Sequence, residues 1–411
     1  MSTFREQLQI LRRLLALQVN EYKAKPEILN TALSVLDTYI MESRRSLLKK
    51  SGVASAALLT GLAGCSGDGS SGSSGDTVTA GYVYNEPITD IGWTATHETA
   101  RKNVVEELDY YETEVVADVS TSEAESTFRT LIQQGVDVIE ACTFGYGSPA
   151  AKVVQDFDDI YIETPRMVPV EGYEGDKLGY YFGQLEDACY ATGIAAGLLT
   201  ETDTLGYVMP FDIASTVNEL NALMQGAKSV NEDVELIIRY TDAWYDPPAE
   251  RNAAESLADQ GADVLGYRVS TPTTMEVAAE RDVWSYGYAD GFAGTDIEYD
   301  KYITSRMWDW TPFYQQTAEA AREGNAGDIS RFNVDDFRGN YFGMAEGGVE
   351  LDDYGSAVPS DVASQVDETV TQLENNDITG EDVFAGTQYE GMSAYERVST
   401  ASEYVDGVIT N

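Results

Sequence analysis

Apolar positions change their period repeatedly along this chain. From residue 78 onward, short runs rich in Val, Ile and Tyr alternate with longer segments in which apolar residues recur every three or four positions. The short runs predict strands over 78–84, 114–119, 136–143, 160–164, 179–183, 205–211, 234–241, 262–269, 283–289 and 302–307. The longer ones predict helices over 93–108, 122–134, 186–199, 216–230, 249–260 and 274–281. Start and stop signals agree: Thr121 and Ser122 precede one helix, Pro247 and Pro248 precede another, and Gly135 and Gly261 follow theirs. Strands alternating with helices specify parallel sheets covered on both faces, so the expected class is α/β. The segment Gly135-Val136-Asp137-Val138 returns as Gly261-Ala262-Asp263-Val264, each time after an acidic helix. Two lobes of one architecture follow, with a ligand site between them beyond the carboxyl ends of the strands.

The chain before residue 78 has a different grammar. Leu8, Leu11, Leu14, Leu15 and Val19 fall on one face of a helix within residues 1–40. This stretch is either an extension lost with an export signal or the product of a start placed upstream of Met41. Residues 41–64 read as that signal: the pair Arg44 and Arg45, then the apolar run 51–64. Fourteen apolar residues are too few to span a bilayer, which needs about 20. Small residues lead to Cys65, expected to be the lipidated first residue of the mature protein. Residues 65–77 then carry a Gly/Ser-rich tether. The expected location is the outer face of the cell membrane, held by lipid.

Charge narrows the class of partner. The formal net charge is −44, and residues 1–64 hold nine basic and five acidic residues, so the chain beyond them is more acidic still. The acids are spread evenly rather than blocked, which reads as the solvated surface of a halophile, with a haloarchaeon the expected source. Nucleic acid is excluded as a partner because no basic patch exists to release its counterions. With Cys65 assigned to lipid, Cys142 and Cys189 fall in apolar segments and are read as free thiols as readily as a disulfide. His97 is the single histidine, no Cys-x-x-Cys or His-x-x-x-His spacing occurs, and neither a phosphate loop nor a nucleophile elbow is present. Metal, cofactor and catalytic residues are therefore expected to be absent, and the chain is read as a binding protein rather than an enzyme.

Four runs carry a family resemblance. They are Phe128-Arg-Thr-Leu-Ile-Gln-Gln-Gly-Val-Asp-Val-Ile, Tyr181-Phe-Gly-Gln-Leu-Glu-Asp-Ala, Trp244-Tyr-Asp-Pro-Pro-Ala-Glu-Arg and Thr304-Ser-Arg-Met-Trp-Asp-Trp. Together, over about 78–353, they resemble the basic membrane lipoprotein (BMP, PnrA-like) family of ABC-transporter solute-binding proteins. The resemblance implies a type I periplasmic-binding-protein fold: two Rossmann-like lobes with parallel sheets and a ligand cleft at the hinge. The lobes are expected over 78–184 with 290–308, and over 185–289 with 309–411. It also implies an ABC permease and ATPase as partners and a purine base or nucleoside-like heterocycle as ligand.

Residue by residue, Asp90-Ile-Gly-Trp-Thr is similar to the family's first ligand motif, which puts Trp93 at a stacking position beside Asp90. Trp244 stands where a second stacking aromatic precedes Asp-Pro. Gly287-Tyr288-Ala289 replaces the family's Gly-Val-Asp, leaving Asp290 one position late, and Trp308 replaces a lysine. Losing those polar ribose contacts favours a base without its sugar. Phe144 and Tyr146, in a Gly-rich loop, are candidate caps. Trp310, His97, Glu140 and Glu163 are weaker candidates. The expected ligand-binding set is Asp90, Trp93, Phe144, Trp244, Asp290 and Trp308. Two alternatives stand beside it: a sugar or other small solute as ligand, and a sensory surface receptor that feeds no transporter.

Overall fold

The computed structural model of the chain describes residues 77–89, 92–289, 297, 299–324 and 341–410. Arg44, Arg45, Cys65, Asp90 and Asp290 lie outside the described residues, as do the helices expected over 1–40.

The first half runs β1 (Val78–Val83), α1 (Trp93–Glu107), β2 (Tyr111–Val116), α2 (Thr121–Gln134), β3 (Val138–Ala141), a 3-10 turn (Phe144–Tyr146), α3 (Gly147–Val153), β4 (Tyr161–Pro165) and β5 (Leu178–Gly183). β3, β4 and β5 are buried throughout, as strands sandwiched between helices must be. The second half continues with α4 (Leu185–Leu199), β6 (Thr204–Met209), α5 (Ala214–Val230), β7 (Glu235–Tyr240), α6 (Pro247–Asp259), β8 (Val264–Tyr267), α7 (Thr273–Arg281), β9 (Trp284–Ala289) and β10 (Tyr302–Trp308). α8 (Thr311–Arg322), β11 (Tyr341–Phe342), β12 (Val349–Leu351), α9 (Ser360–Glu374), α10 (Gly380–Val383), α11 (Ala394–Thr400) and β13 (Val408–Thr410) complete the described chain.

Helix ends follow the sequence signals. At the start of α2 the Ser120 N–H donates to Glu123 Oε2 at 3.3 Å. At the start of α6 the Asp246 carboxylate accepts from the Ala249 N–H at 3.1 Å, and Pro247 and Pro248 fill the first turn.

Among the described residues two sheets form, in the orders β11-β5-β4-β3-β1-β2 and β12-β10-β9-β8-β6-β7-β13. Every pairing is parallel except β10 with β12. The repeated segments occupy matching places. Gly135 and Gly261 end their helices in the left-handed region at φ 94° and 99°, where a Cβ is disfavoured. Asp137 then accepts from the Thr79 N–H at 2.8 Å, and Asp263 from the Glu201 and Thr202 N–H groups at 2.7 and 3.0 Å. Each aspartate ties the start of its strand to its neighbour.

The chain passes between the sheets three times among the described residues: after β5 into α4, after β10 into α8, and after β11 into β12. This corrects the expected lobe boundaries. Residues 302–308, assigned to the first lobe with 290–308, pair with β9 in the second sheet. α8, assigned to the second lobe with 309–411, packs on α1 and β1 in the first, with Asn103 Nδ2 donating to Thr311 Oγ1 at 3.3 Å and the Arg322 guanidinium 4.0 Å from the Tyr110 ring centroid. Strand-to-helix alternation is the same on either side of a crossing, so periodicity alone does not mark it. Cys142 and Cys189 are buried free thiols.

Candidate functional site

The expected aromatics gather where the crossings meet the carboxyl ends of the strands. His97, Trp310 and Trp308 form a stacked column, with ring centroids 4.6 and 5.1 Å apart and planes 6° and 13° from parallel. Trp93, the first residue of α1, lies edge-on across all three, at 4.8, 5.3 and 6.3 Å from His97, Trp310 and Trp308. Every indole N–H is satisfied. Trp93 donates to the Cys142 carbonyl at 2.8 Å, Trp310 to Thr96 Oγ1 at 2.9 Å and Trp308 to the Tyr288 hydroxyl at 3.2 Å. Edge-to-face packing with satisfied donors fixes ring orientation.

Trp308 is 4% exposed and Trp310 0%, while Trp93 is half-buried and has Phe182 stacked 6.5 Å from it. The strand β10 ends at Trp308, and Trp310, two positions on, stacks on the same column. Gly183 makes this packing possible, because a Cβ there meets Trp308 Cζ3 at 2.6 Å.

The second lobe contributes Trp244, 41% exposed, beyond β7. Its ring packs edge-on against Phe211 with centroids 5.6 Å apart. Between Trp244 and the column sits Arg268, the first residue past β8, which the sequence reading did not single out. Its guanidinium carbon is 4.1 Å from the Tyr288 ring centroid, 5.7 Å from Trp244 and 5.9 Å from Trp308. Glu219 on α5 holds it through both carboxylate oxygens, from Nε at 2.7 Å and Nη2 at 3.1 Å, and Nη1 donates to the Tyr288 hydroxyl. Burial works against the charge of Arg268, but Glu219 beside it outweighs that and holds the guanidinium above its ordinary range. A run of side-chain contacts thus links Trp93 to Trp308, Arg268 and Trp244.

Phe144, Tyr146, Glu140 and Glu163 pack against other partners, and His97 is the buried third member of the column. Phe144, 48% exposed, packs against Arg166, whose guanidinium carbon is 3.8 Å from its ring centroid and whose Nη1 donates to its carbonyl at 2.7 Å. Tyr146 is fully buried, and its hydroxyl donates to the Val119 carbonyl at 2.5 Å. His97 is fully buried, with Nδ1 2.5 Å from the Tyr314 hydroxyl, and burial holds it neutral well below the usual histidine range. Glu140 and Glu163 are register partners on β3 and β4 inside the first lobe. Burial first, and then Glu163, pushes the Glu140 carboxyl well above the carboxylate range. Glu163 accepts from Thr317 Oγ1 at 2.6 Å and from the Tyr161 hydroxyl at 3.1 Å. Both acids are core groups in the first lobe. One signal for Arg268 was available: the repeat puts it at the place of Cys142, whose carbonyl holds Trp93.

Two largely parallel α/β sheets joined by repeated crossings are the architecture of periplasmic-binding-type proteins. The chain belongs to the PnrA-like family of ABC transporter substrate-binding proteins (Bmp), whose family model matches residues 77–384. A putative ABC transporter glucose-binding protein of Haloferax volcanii is 36% identical over 345 residues, 83% of each chain. A purine-binding protein of Brucella abortus is 28% identical over 301 residues, 72% of this chain and 81% of that one. The solved structure of an ABC transporter solute-binding protein from Conexibacter woesei covers 75% of this chain and 99% of its own, with a TM-score of 0.61 at 19% identity, a likeness in fold. Proteins of this kind bind small solutes and work with ABC transporter components.

Proposed function

We propose that this protein is the lipid-anchored, extracytoplasmic receptor of an ABC importer, and that it captures a purine base or a closely related flat heterocycle between its lobes. The observation that carries the reading is a run of aromatic contacts, from Trp93 to Trp308 and from Arg268 to both Trp308 and Trp244. Aromatic faces stack on a planar ring with about 1–3 kcal/mol per base, and a few fixed donors then orient its edge. The purine-binding relative supports the ligand class. Lobe closure gives the permease a liganded shape to recognise. Anchoring rests on Arg44, Arg45, the apolar run and Cys65 in the sequence. No helix among the described residues is long and apolar enough to cross a membrane.

A thermal-shift screen of nucleobases, nucleosides and sugars in molar KCl tests the ligand class. A true ligand at about 100 times its Kd raises stability by about 2.7 kcal/mol. A second reading, a sugar receptor, is favoured by the putative glucose-binding relative, since indoles also stack on pyranose rings. Response to glucose with silence from every nucleobase selects it over the first. The anchor is tested separately: Cys65→Ser moves the protein from the detergent phase to the aqueous phase, and unchanged partitioning removes that part of the proposal.

A further inference from the structure

Arg268 and its neighbours present hydrogen-bond donors alone. A guanidinium carries five N–H groups, and three are engaged, by Glu219 twice and by the Tyr288 hydroxyl once. One N–H remains on each terminal nitrogen. The Tyr288 oxygen already accepts from both Arg268 and the Trp308 indole, so its own proton is left to donate. Both oxygens of Glu219 are turned to Arg268 and fix the guanidinium in place. The guanidinium lies between Trp244 and Trp308, 5.7 and 5.9 Å from their ring centroids.

Resting on the purine reading, we infer that Arg268, fixed by Glu219 and Tyr288, makes the cleft selective for 6-oxopurines over 6-aminopurines. An oxopurine offers two adjacent acceptors, O6 and N7, to the paired N–H groups of an arginine. An aminopurine places its N6 amine beside N7, so a donor meets a donor and a buried N–H is left unpaired. Glu219 is the positioning residue: it restrains a side chain that otherwise has many rotamers, so the fork faces the cleft before the ligand arrives.

Isothermal titration of the full chain in molar KCl with hypoxanthine, adenine, 7-deazahypoxanthine and glucose tests this. Hypoxanthine is expected to bind about tenfold or more tightly than adenine, the discrimination typical of a bidentate arginine contact. The 7-deaza analogue lacks the N7 acceptor and is expected to lose a comparable factor, a comparison that needs no altered protein. Arg268→Lys, which keeps the charge opposite Glu219 but lacks the fork, brings the hypoxanthine-to-adenine ratio towards one. So does the double change Arg268→Gln with Glu219→Gln, which leaves no buried lone charge. Circular dichroism checks that each variant is folded. Adenine binding as tightly as hypoxanthine, or the 7-deaza analogue binding equally well, overturns the selectivity and leaves the purine reading standing. Binding of glucose with no response to any purine overturns the purine reading and this inference with it.

Discussion

Trp93 is held on several sides: its N–H is bonded to Cys142, its edge lies against His97, Trp310 and Trp308, and it starts a helix. Trp244 is more exposed and leans on Phe211. The two therefore separate stability from binding. Trp93→Ala is expected to lose about 2–4 kcal/mol of stability, below the top of the range for buried aromatics because the ring is only half-buried, as well as ligand affinity. Trp244→Ala is expected to stay within about 1 kcal/mol of the parent in stability while losing about 1–3 kcal/mol of binding energy. Denaturant unfolding and ligand titration of each variant check this, and full affinity in Trp244→Ala argues against a sandwiched ring. Both tryptophans stand out in the sequence because each is a large aromatic set beside a strand-to-helix turn. Arg268 does not, since Val-Leu-Gly-Tyr-Arg reads like any strand end. Its role depends on Glu219, 49 positions away in the chain, a distance no local pattern spans.

The elements that cross between lobes carry a titratable contact. Asp187, half-buried in the first turn of α4, accepts from the Met344 N–H at 3.1 Å, on the segment that leads from β11 to β12. Burial first, and Glu186 beside it second, push its carboxyl up from 3.8 to about 7, the Met344 bond acting in the opposite sense. A raised carboxyl gives its full stability below the unfolded value and loses it as pH rises through the folded one, so the window is about 3.8 to 7. Asp187→Asn keeps an acceptor for Met344 and removes the titration. Relative to that variant the parent is expected to weaken by about 1–2 kcal/mol across the window, discounted for solvent screening. Parallel stability–pH curves for the two proteins count against it.

The last elements make a second element-scale case, because 385–410 lie beyond the family match. There β13 covers the edge of β7, and the Asn221 side chain donates to the Glu403 carbonyl at 3.0 Å and accepts from the Val405 N–H at 2.9 Å. Ending the chain after Thr400 uncovers the β7 edge. It is expected to lower stability by about 2–4 kcal/mol, from the side-chain bonds lost with 403–406, those of Tyr389 and Tyr240 among them, and from the strand, and to produce concentration-dependent light scattering. Alternation of strands and helices revealed the lobes, but β13 has only three residues and β2 is a half-exposed strand rich in acids. β13 escaped notice and β2 was placed about three residues late, because their pairing is set by the sheets they join.

At the scale of the molecule the excess of acid governs how the rest behaves. With a formal net charge of −44, cations are shared: Arg251 lies within 4 Å of Glu255, Glu276 and Glu280, and Arg129 reaches both Glu125 and Asp156. Such exposed pairs contribute little singly, and the 70 acidic residues far outnumber the 26 basic ones. Repulsion among them is felt over a Debye length of about 10 Å at 0.1 M salt and about 3 Å at 1 M. Stability is therefore expected to rise with KCl, which any densely acidic protein would show. Ligand binding makes the sharper prediction. Closing two lobes that are both acidic brings like charges together, a term present in the closed state and smaller in the open one. Screening removes it, so affinity for the ligand is expected to rise between 0.2 M and 2 M KCl even for an uncharged purine that has no charge of its own to screen. The gain belongs mainly to a slower off-rate, because an open cleft admits a neutral ligand at either salt. Stopped-flow tryptophan fluorescence measures both rates, with Trp93 and Trp244 as reporters. A Kd independent of salt in the range where the fold is intact shows that ligand capture does not bring the acidic faces together, and the clamp then has to work by a smaller local movement around Arg268 and Trp244.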